Sequence, residues 1–232
     1  MILSVHQPNY FPYPGFFHKI KLSDIFVVLD NVQYAKGSNR NKIITSKGWT
    51  WITVPINKTH KFSRSSEVEI NNEIDWSSLH WAKIRTSYTN AKYFHLYKEY
   101  FEKLYKRNWK MLFELNFETT KKIVEWLGIK TKFVRESELK IKGKSTERII
   151  NACKALGADT YLSGIGGKNY LNEKLIEKNN LKLVYQNYRP IPHKQYLADT
   201  FIPNLSIIDL PFNCGKNSLD VIVNNQDNFK LK

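Results

Sequence analysis

TKFVRESELKIKGKSTERIINACKALGADTYLSGIGGKNYLNEKLIEKNNLKLVY, residues 131–185, decides the fold class. Short apolar runs alternate here with helical patterns. Thr131–Val134 reads as a strand, Ser145–Leu156 as a helix, Thr160–Leu162 as a strand, Tyr170–Lys178 as a helix and Leu181–Tyr185 as a strand. Strands that alternate with helices pair in parallel, because each helix carries the chain back to the end of the sheet where the last strand began. Toward the N-terminus the same pattern returns. Met1–His6 (MILSVH) is an apolar run stopped by Gln7-Pro8, Gly15–Leu22 forms a short helix, and Asp24–Asp30 (DIFVVLD) is a second apolar strand. Pro8, Pro12 and Pro14 force an irregular loop after the first strand.

Two insertions interrupt this alternation. Lys42–Thr45 and Trp49–Ile56 (WTWITVPI) form a hairpin around Lys47-Gly48, and Glu67–Ile70 adds one more strand. From Asp75 to Leu127 apolar residues recur at three- and four-residue intervals, which predicts a helical block closed by Gly128. The helix from Ser145 opens Ser145-x-x-Arg148, without the Glu of a capping box. The expected architecture is α/β: a Rossmann-like, mainly parallel sheet with strands near 2–6, 25–30, 131–135, 159–163 and 181–186. A β-hairpin excursion near 41–70 and a helical insert near 75–128 follow the second strand, all in one domain over 1–215, with a polar C-terminal tail at 216–232.

The 232-residue chain carries 36 Lys+Arg against 21 Asp+Glu, a formal net charge of +15, yet 42% of it is hydrophobic. That content supplies a core and excludes a fully disordered chain. Two cysteines, Cys153 and Cys214, are too few for a disulfide scaffold, and no paired CxxC or spaced histidines suggest a metal site. The opening MILSVHQPNYFP has no basic leader or long apolar stretch, so a cytoplasmic protein with no membrane contact is expected. The most basic run, Lys98–Lys110, places Phe101, Leu104, Tyr105 and Trp109 at helical spacing. Its lysines therefore read as the wet face of an amphipathic helix rather than a nucleic-acid patch. The charge otherwise reads as biased composition spread over solvated surface, or as a field that draws in an anionic small substrate or an acidic protein partner.

In parallel sheets ligands bind outside the carboxyl ends of the strands. That rule selects the loops His6–Pro14, Asp30–Asn41, Ser163–Tyr170 and Gln186–Tyr196. His6 ends the first strand, where a neutral imidazole can serve as general base, with Gln7, Asn9 and Tyr10 beside it as polar ligand contacts. Asp30 ends the second strand and could orient His6, hold a hydroxyl or deprotonate an amine; it could equally cap a loop. Gln33 and Tyr34 follow it, and Asn39-Arg40-Asn41 offers a fork of donors for phosphate or carboxylate. Ser163-Gly164-Ile165-Gly166-Gly167-Lys168-Asn169-Tyr170 follows a strand and opens a helix, so its backbone N–H groups could meet an anion. It is neither a Walker loop nor GxGxxG, and Ser163 lacks the surround of a hydrolase elbow. Both cysteines read as structural.

Taken together, HQPNYFPYPGFFHKI, FVVLDNVQY, NRNKI, WITVP, TYLSGIGGKNYL and FIPNLSIIDLPFNCG resemble the WbqC-like protein family, in order over roughly Ile2 to Gly215. The resemblance implies a bacterial cytosolic protein associated with surface-polysaccharide (O-antigen) and amino-sugar biosynthesis. It carries over His6, Gln7, Tyr10, Asp30, Gln33, Tyr34, Asn39, Arg40, Ser163, Gly164, Gly167 and Tyr170, with Gln195, Asp209 and Asn213 behind them. The function this context suggests is a transferase that moves an acyl or aminoacyl group onto the amine of a nucleotide-linked amino sugar. His6 and Asp30 would be catalytic; Gln7, Asn9, Tyr10, Gln33, Tyr34, Asn39, Arg40, Ser163, Gly164, Gly166, Gly167, Lys168, Tyr170 and Gln195 would bind substrate. An acyl thioester, on coenzyme A or on an acidic acyl carrier protein, would be the donor, and no tightly bound cofactor is expected. Two alternatives stay open. The N-terminal strand, loop and helix are similar to those of HxGH nucleotidyltransferases, with Tyr13 and Phe16 where the two histidines would stand. A non-enzymatic protein that binds glycan intermediates or nucleic acid is the other.

Overall fold

The computed structural model describes residues 1–58 and 63–224. Its centre is a five-stranded parallel sheet built from β1 (Ile2–His6), β2 (Ile25–Val28), β5 (Lys132–Arg135), β6 (Thr160–Ser163) and β7 (Lys182–Tyr185). The spatial order is β5-β2-β1-β6-β7, and every neighbouring pair is parallel. All five strands fall where the apolar runs placed them. β3 (Arg40–Thr45) and β4 (Gly48–Thr53) form a separate antiparallel hairpin, with Thr45 paired to Gly48 across the turn.

Side-chain alternation along each strand loads the two faces of the sheet differently. Leu3, Val5, Ile25 and Val27 face Ile149, Ile150 and Cys153 of α5 (Ser145–Leu156) and Ile176 of α6 (Glu173–Lys178). Phe26 and Val28 point the other way, to Phe16, Phe17 and Ile20 of α1 (Pro14–Leu22). That second face continues into a larger core under the hairpin and the helical block α2 (Trp76–Tyr88), α3 (Phe94–Lys106) and α4 (Leu112–Trp126).

Local chemistry explains the element ends. Pro14 starts α1, where its missing N–H costs nothing. The Asp75 carboxylate accepts from Ser78 N and caps α2. α4 closes through Gly128 at φ 64°, a left-handed position that favours glycine. The basic run on α3 buries Phe101, Leu104 and Tyr105, while Lys98 and Lys103 pair with Glu102 and Glu99 on its outer side. Its lysines are thus a solvated helix face, as the spacing predicts.

Three elements differ from the sequence reading. Residues 67–70 do not form a strand. Ser65–Glu67 is a 3₁₀ turn, and Glu69 and Ile70 make only single bridges, to Met111 and Ile56. The helix expected from Tyr170 begins at Glu173, because Ile165–Asn169 is taken up by another 3₁₀ turn. The segment read as a tail from 216 starts with a helix, α8 (Ser218–Val223), preceded by α7 (Asp209–Cys214). Ile222 and Phe212 are buried in the large core, so α7 and α8 seal it. The rest of that tail, 225–232, and His60 lie outside the described residues.

Candidate functional site

The chain runs from β1 outward to β2 and β5, then returns to the other side of β1 for β6 and β7. The strand order therefore reverses between β1 and β6, the place where open α/β sheets leave a crevice. A cavity of about 260 Å³ opens beside this point, at the carboxyl ends of β1 and β2 and on the α5 face of the sheet. Val5, Leu29, Val32, Ile141, Ile149 and Ala152 give it apolar walls, and Gln7, Glu136, Ser145, Arg148 and Tyr170 give it polar ones.

Gln7 is locked. Its Nε2 donates to Gln33 O at 2.7 Å and its Oε1 accepts from Ala35 N at 3.0 Å, which ties the loop after β1 to the loop after β2. Glu136 is fully buried at the end of β5 and pairs with the Arg148 guanidinium. Arg148 also donates to Gly143 O at 3.1 Å and Asn31 O at 3.4 Å. Arg148 Nε and Glu136 Oε2 are buried without a hydrogen-bond partner among the described residues. Tyr170 and Ser145 are exposed at the rim, where their hydroxyls can reach a bound molecule.

A second cavity of about 490 Å³ lies on the far side of Gln33, lined by Gln33, Tyr34, Lys36, Gly37, Asn39, Arg40, Thr53 and Ile56. Asn39 holds this loop to the hairpin by donating to Val54 O at 2.7 Å. Partial burial raises the Tyr34 phenol above its ordinary range.

The lining of the strand-end cavity includes neither His6 nor Asp30. His6 points to the α1 face, edge-on to Phe16, with Nδ1 against Gln7 O at 2.8 Å. Burial, with the nearby Lys19 ammonium second, pushes its pKa down to about 3, so the ring is neutral at pH 7 and a weak base. Lys19 itself is buried and pushed down to about 7. Asp30 is buried and spends both carboxylate oxygens on Ser137, accepting from its N–H at 2.9 Å and its hydroxyl at 2.6 Å. No hydrogen bond or ion pair joins His6 to Asp30 among the described residues. The geometry thus gives Asp30 its loop-capping role.

Other expected ligand contacts serve the framework. Tyr10 is fully buried, and its hydroxyl bonds to Tyr105 at 2.5 Å and His80 Nδ1 at 3.0 Å inside the helical block. Asn9 is half-buried in the loop after β1. Gln195 clamps its own loop, donating to Ile202 O and Asp209 Oδ2 and accepting from Ile202 N. Asp209 also holds His193 Nε2 at 2.8 Å. Ser163 is buried and donates to Gly164 O. Lys168 lies over the Tyr185 ring at 5.2 Å. Gly164 and Gly166 face open space, whereas a Cβ on Gly167 would overlap Ser163 Oγ and come within 2.9 Å of Leu171.

The profile of the WbqC-like protein family matches residues 7–221, nearly the whole chain. The chain belongs to the WbqC-like protein family. It is also 29% identical over 223 residues to "Uncharacterized protein Rv1507c" of Mycobacterium tuberculosis (strain ATCC 25618 / H37Rv), covering 95% of this chain and 96% of that one. No solved structure matches this WbqC-like chain. Among the described residues no helix is long and apolar enough to cross a membrane, and no cluster of His, Cys, Asp or Glu could hold a metal ion.

Glu136, Ser145 and Arg148 escaped the sequence reading as site residues. One signal was present: Arg148 sits in the opening turn of α5, where the helix dipole disfavours a cation. A cation there implies a compensating carboxylate, and Glu136 supplies it. At Gly15, which follows Tyr13 in the stretch compared with HxGH nucleotidyltransferases, a Cβ would meet the Tyr13 and Tyr188 rings, and Gly15 O accepts from Gln186 Nε2 at 2.7 Å.

Proposed function

We propose that this chain is a cytoplasmic transferase of surface-polysaccharide biosynthesis, moving an acyl or aminoacyl group onto the amine of a nucleotide-linked amino sugar. The observation that carries the reading is the cavity beside the β1/β6 reversal, mainly apolar with a few polar side chains in its walls and exposed hydroxyls at its rim. Its volume suits one sugar ring or the reacting end of a thioester. The surface-polysaccharide and amino-sugar context that the family resemblance implies supports an amino sugar as the acceptor.

In the reaction the amine nitrogen bonds to the thioester carbonyl carbon and the carbon–sulfur bond breaks. The thiol leaves, and the proton lost by the amine passes to it through solvent. An amine in its neutral form needs little activation against a thioester, so the protein contributes chiefly by holding the two partners together. Tyr170 and Ser145 are the side chains placed to touch them, and the Glu136–Arg148 pair fixes the wall behind. His6, on the other face of β1, is relieved of the proton-accepting role.

The test incubates the purified protein with amino-sugar nucleotides and acyl thioesters. Mass spectrometry should show the acylated sugar nucleotide with equimolar free thiol. Tyr170→Ala should lower turnover while keeping the fold, and His6→Gln, where it folds, should retain it. Absence of product across the panel, or pyrophosphate release from a nucleoside triphosphate instead, overturns the reading.

A further inference from the structure

The outer face of the β3–β4 hairpin presents two tryptophans to water. Trp49 and Trp51 are 47% and 40% exposed and meet edge to face with ring centres 5.6 Å apart. Each carries a cation: the Arg40 guanidinium lies 4.6 Å from the Trp51 ring and Lys42 Nζ 4.9 Å from that of Trp49. Exposed indoles forfeit the burial that stabilises a fold, so a paired set with cations on top calls for a reason.

Two arginines elsewhere in the chain are held differently. Arg107 also stacks on a tryptophan, Trp109, at 3.9 Å, but that indole is buried and both oxygens of Glu118 accept from the guanidinium. Arg135 packs on Phe113 and Phe117 and is likewise bonded to both oxygens of Glu114. Those arginines are structurally satisfied. Among the described residues Arg40, Lys42 and Lys36 form no ion pair with a carboxylate. Arg40 belongs both to the tryptophan face and to the lining of the 490 Å³ cavity, where Lys36 joins it. Uncompensated cations therefore converge on a small-molecule-sized hollow beside an exposed aromatic platform.

We propose that this hairpin and the loop before it form a nucleoside-diphosphate subsite. The base packs against the exposed Trp49 and Trp51 rings where Arg40 and Lys42 leave them open, and the diphosphate lies in the cavity against Arg40 and Lys36. The inference rests on the proposed use of a nucleotide-linked substrate and says where its nucleotide goes. Gln7, bonded to Gln33 O, stands between this cavity and the strand-end one, so a sugar beyond the diphosphate would pass toward β1.

Binding is measured by calorimetry and by intrinsic tryptophan fluorescence with UDP, ADP, GDP, uridine and inorganic pyrophosphate. At least one nucleoside diphosphate should bind saturably and quench emission, more tightly than pyrophosphate or uridine alone. Arg40→Ala should weaken it about tenfold or more, with Arg40→Lys intermediate, since one charge-assisted contact is lost. Trp51→Ala should weaken it and reduce the quench. Arg40 is exposed, so its variant keeps the buried Ile43, Ile44 and Ile52 that fix the hairpin. No binding of any of the three diphosphates, or equal affinity in Arg40→Ala and the wild type, overturns the subsite. The two failures are separable. Transfer activity with no Arg40-dependent nucleotide affinity removes the subsite alone. Arg40-dependent binding without acyl transfer removes the transferase reading alone.

Discussion

Asp30 shows what a single residue's partners decide. From the sequence it could be a catalytic orienter or a loop cap, because a carboxylate after a strand serves either purpose. Its chemistry was legible and its choice of partner was not, since Ser137 lies 107 residues away. With both oxygens occupied, Asp30→Ala should destabilise the protein by about 2–3 kcal/mol, the cost of stripping a charged acceptor from buried donors. Ser137→Ala should cost only about 1 kcal/mol, one hydroxyl hydrogen bond. Denaturant titration checks both; a catalytic Asp30 would instead show lost turnover at unchanged stability. The Glu136–Arg148 pair gives a sharper case. Arg148→Met strands a fully buried carboxylate and should cost about 3–5 kcal/mol. Replacing both by apolar residues should recover most of that loss, as a double-mutant cycle would read. A cycle with purely additive losses would show that the two side chains do not support each other.

At the scale of elements, the strands were readable because each is a short apolar run bounded by turn residues. The helical block was readable because its apolar spacing recurs through all three helices, α2, α3 and α4. What escaped has a physical cause in each case. Glu69 and Ile70 contact Met111 and Ile56, so their extended conformation comes from tertiary bridges rather than a sheet. The 3₁₀ turn after β6 brings Gly167 against Ser163 and Leu171, a close approach that no periodicity encodes. That turn yields a prediction distinguishing scaffold from ligand contact. Gly167→Ala should lower stability by roughly 1–3 kcal/mol, since the new methyl overlaps the buried Ser163 hydroxyl. Gly164→Ala and Gly166→Ala meet open space and should leave thermal unfolding within about 1 °C of the wild type. Loss of transfer activity in either of these two stable variants would mark that backbone as a ligand contact. Equal destabilisation by all three would refute the packing argument.

For the molecule as a whole, the cations differ in their partners: Lys98 and Lys103 pair with carboxylates on the outside of α3, Arg135 and Arg107 are bonded to Glu114 and Glu118, and Arg40, Lys42 and Lys36 at the hairpin form no ion pair among the described residues. A second consequence of global packing concerns protons. Burial pushes His6 down to about 3, and His18 and His80 each to about 4. In the unfolded chain all three titrate near 6.5. Between 6.5 and these values the unfolded state therefore binds more protons than the folded one, so the histidines' contribution to stability is fully present above about pH 6.5 and is lost as pH drops. Each histidine steepens the decline within its own window, and the three act in the same direction. Lys19, pushed down to about 7 from 10.5, acts in the same direction, extending the rise of stability with pH from about 7 toward 10. Acid unfolding should therefore begin well above pH 4, where ordinary carboxylates start to protonate. Circular dichroism and tryptophan emission against pH would follow it. His80→Gln removes one of the three proton traps: it should cost stability at pH 7.5, where Tyr10 loses its ring partner, yet flatten the decline between pH 6.5 and 4.5. An unchanged slope in that variant would mean that His80 is not held neutral by the core.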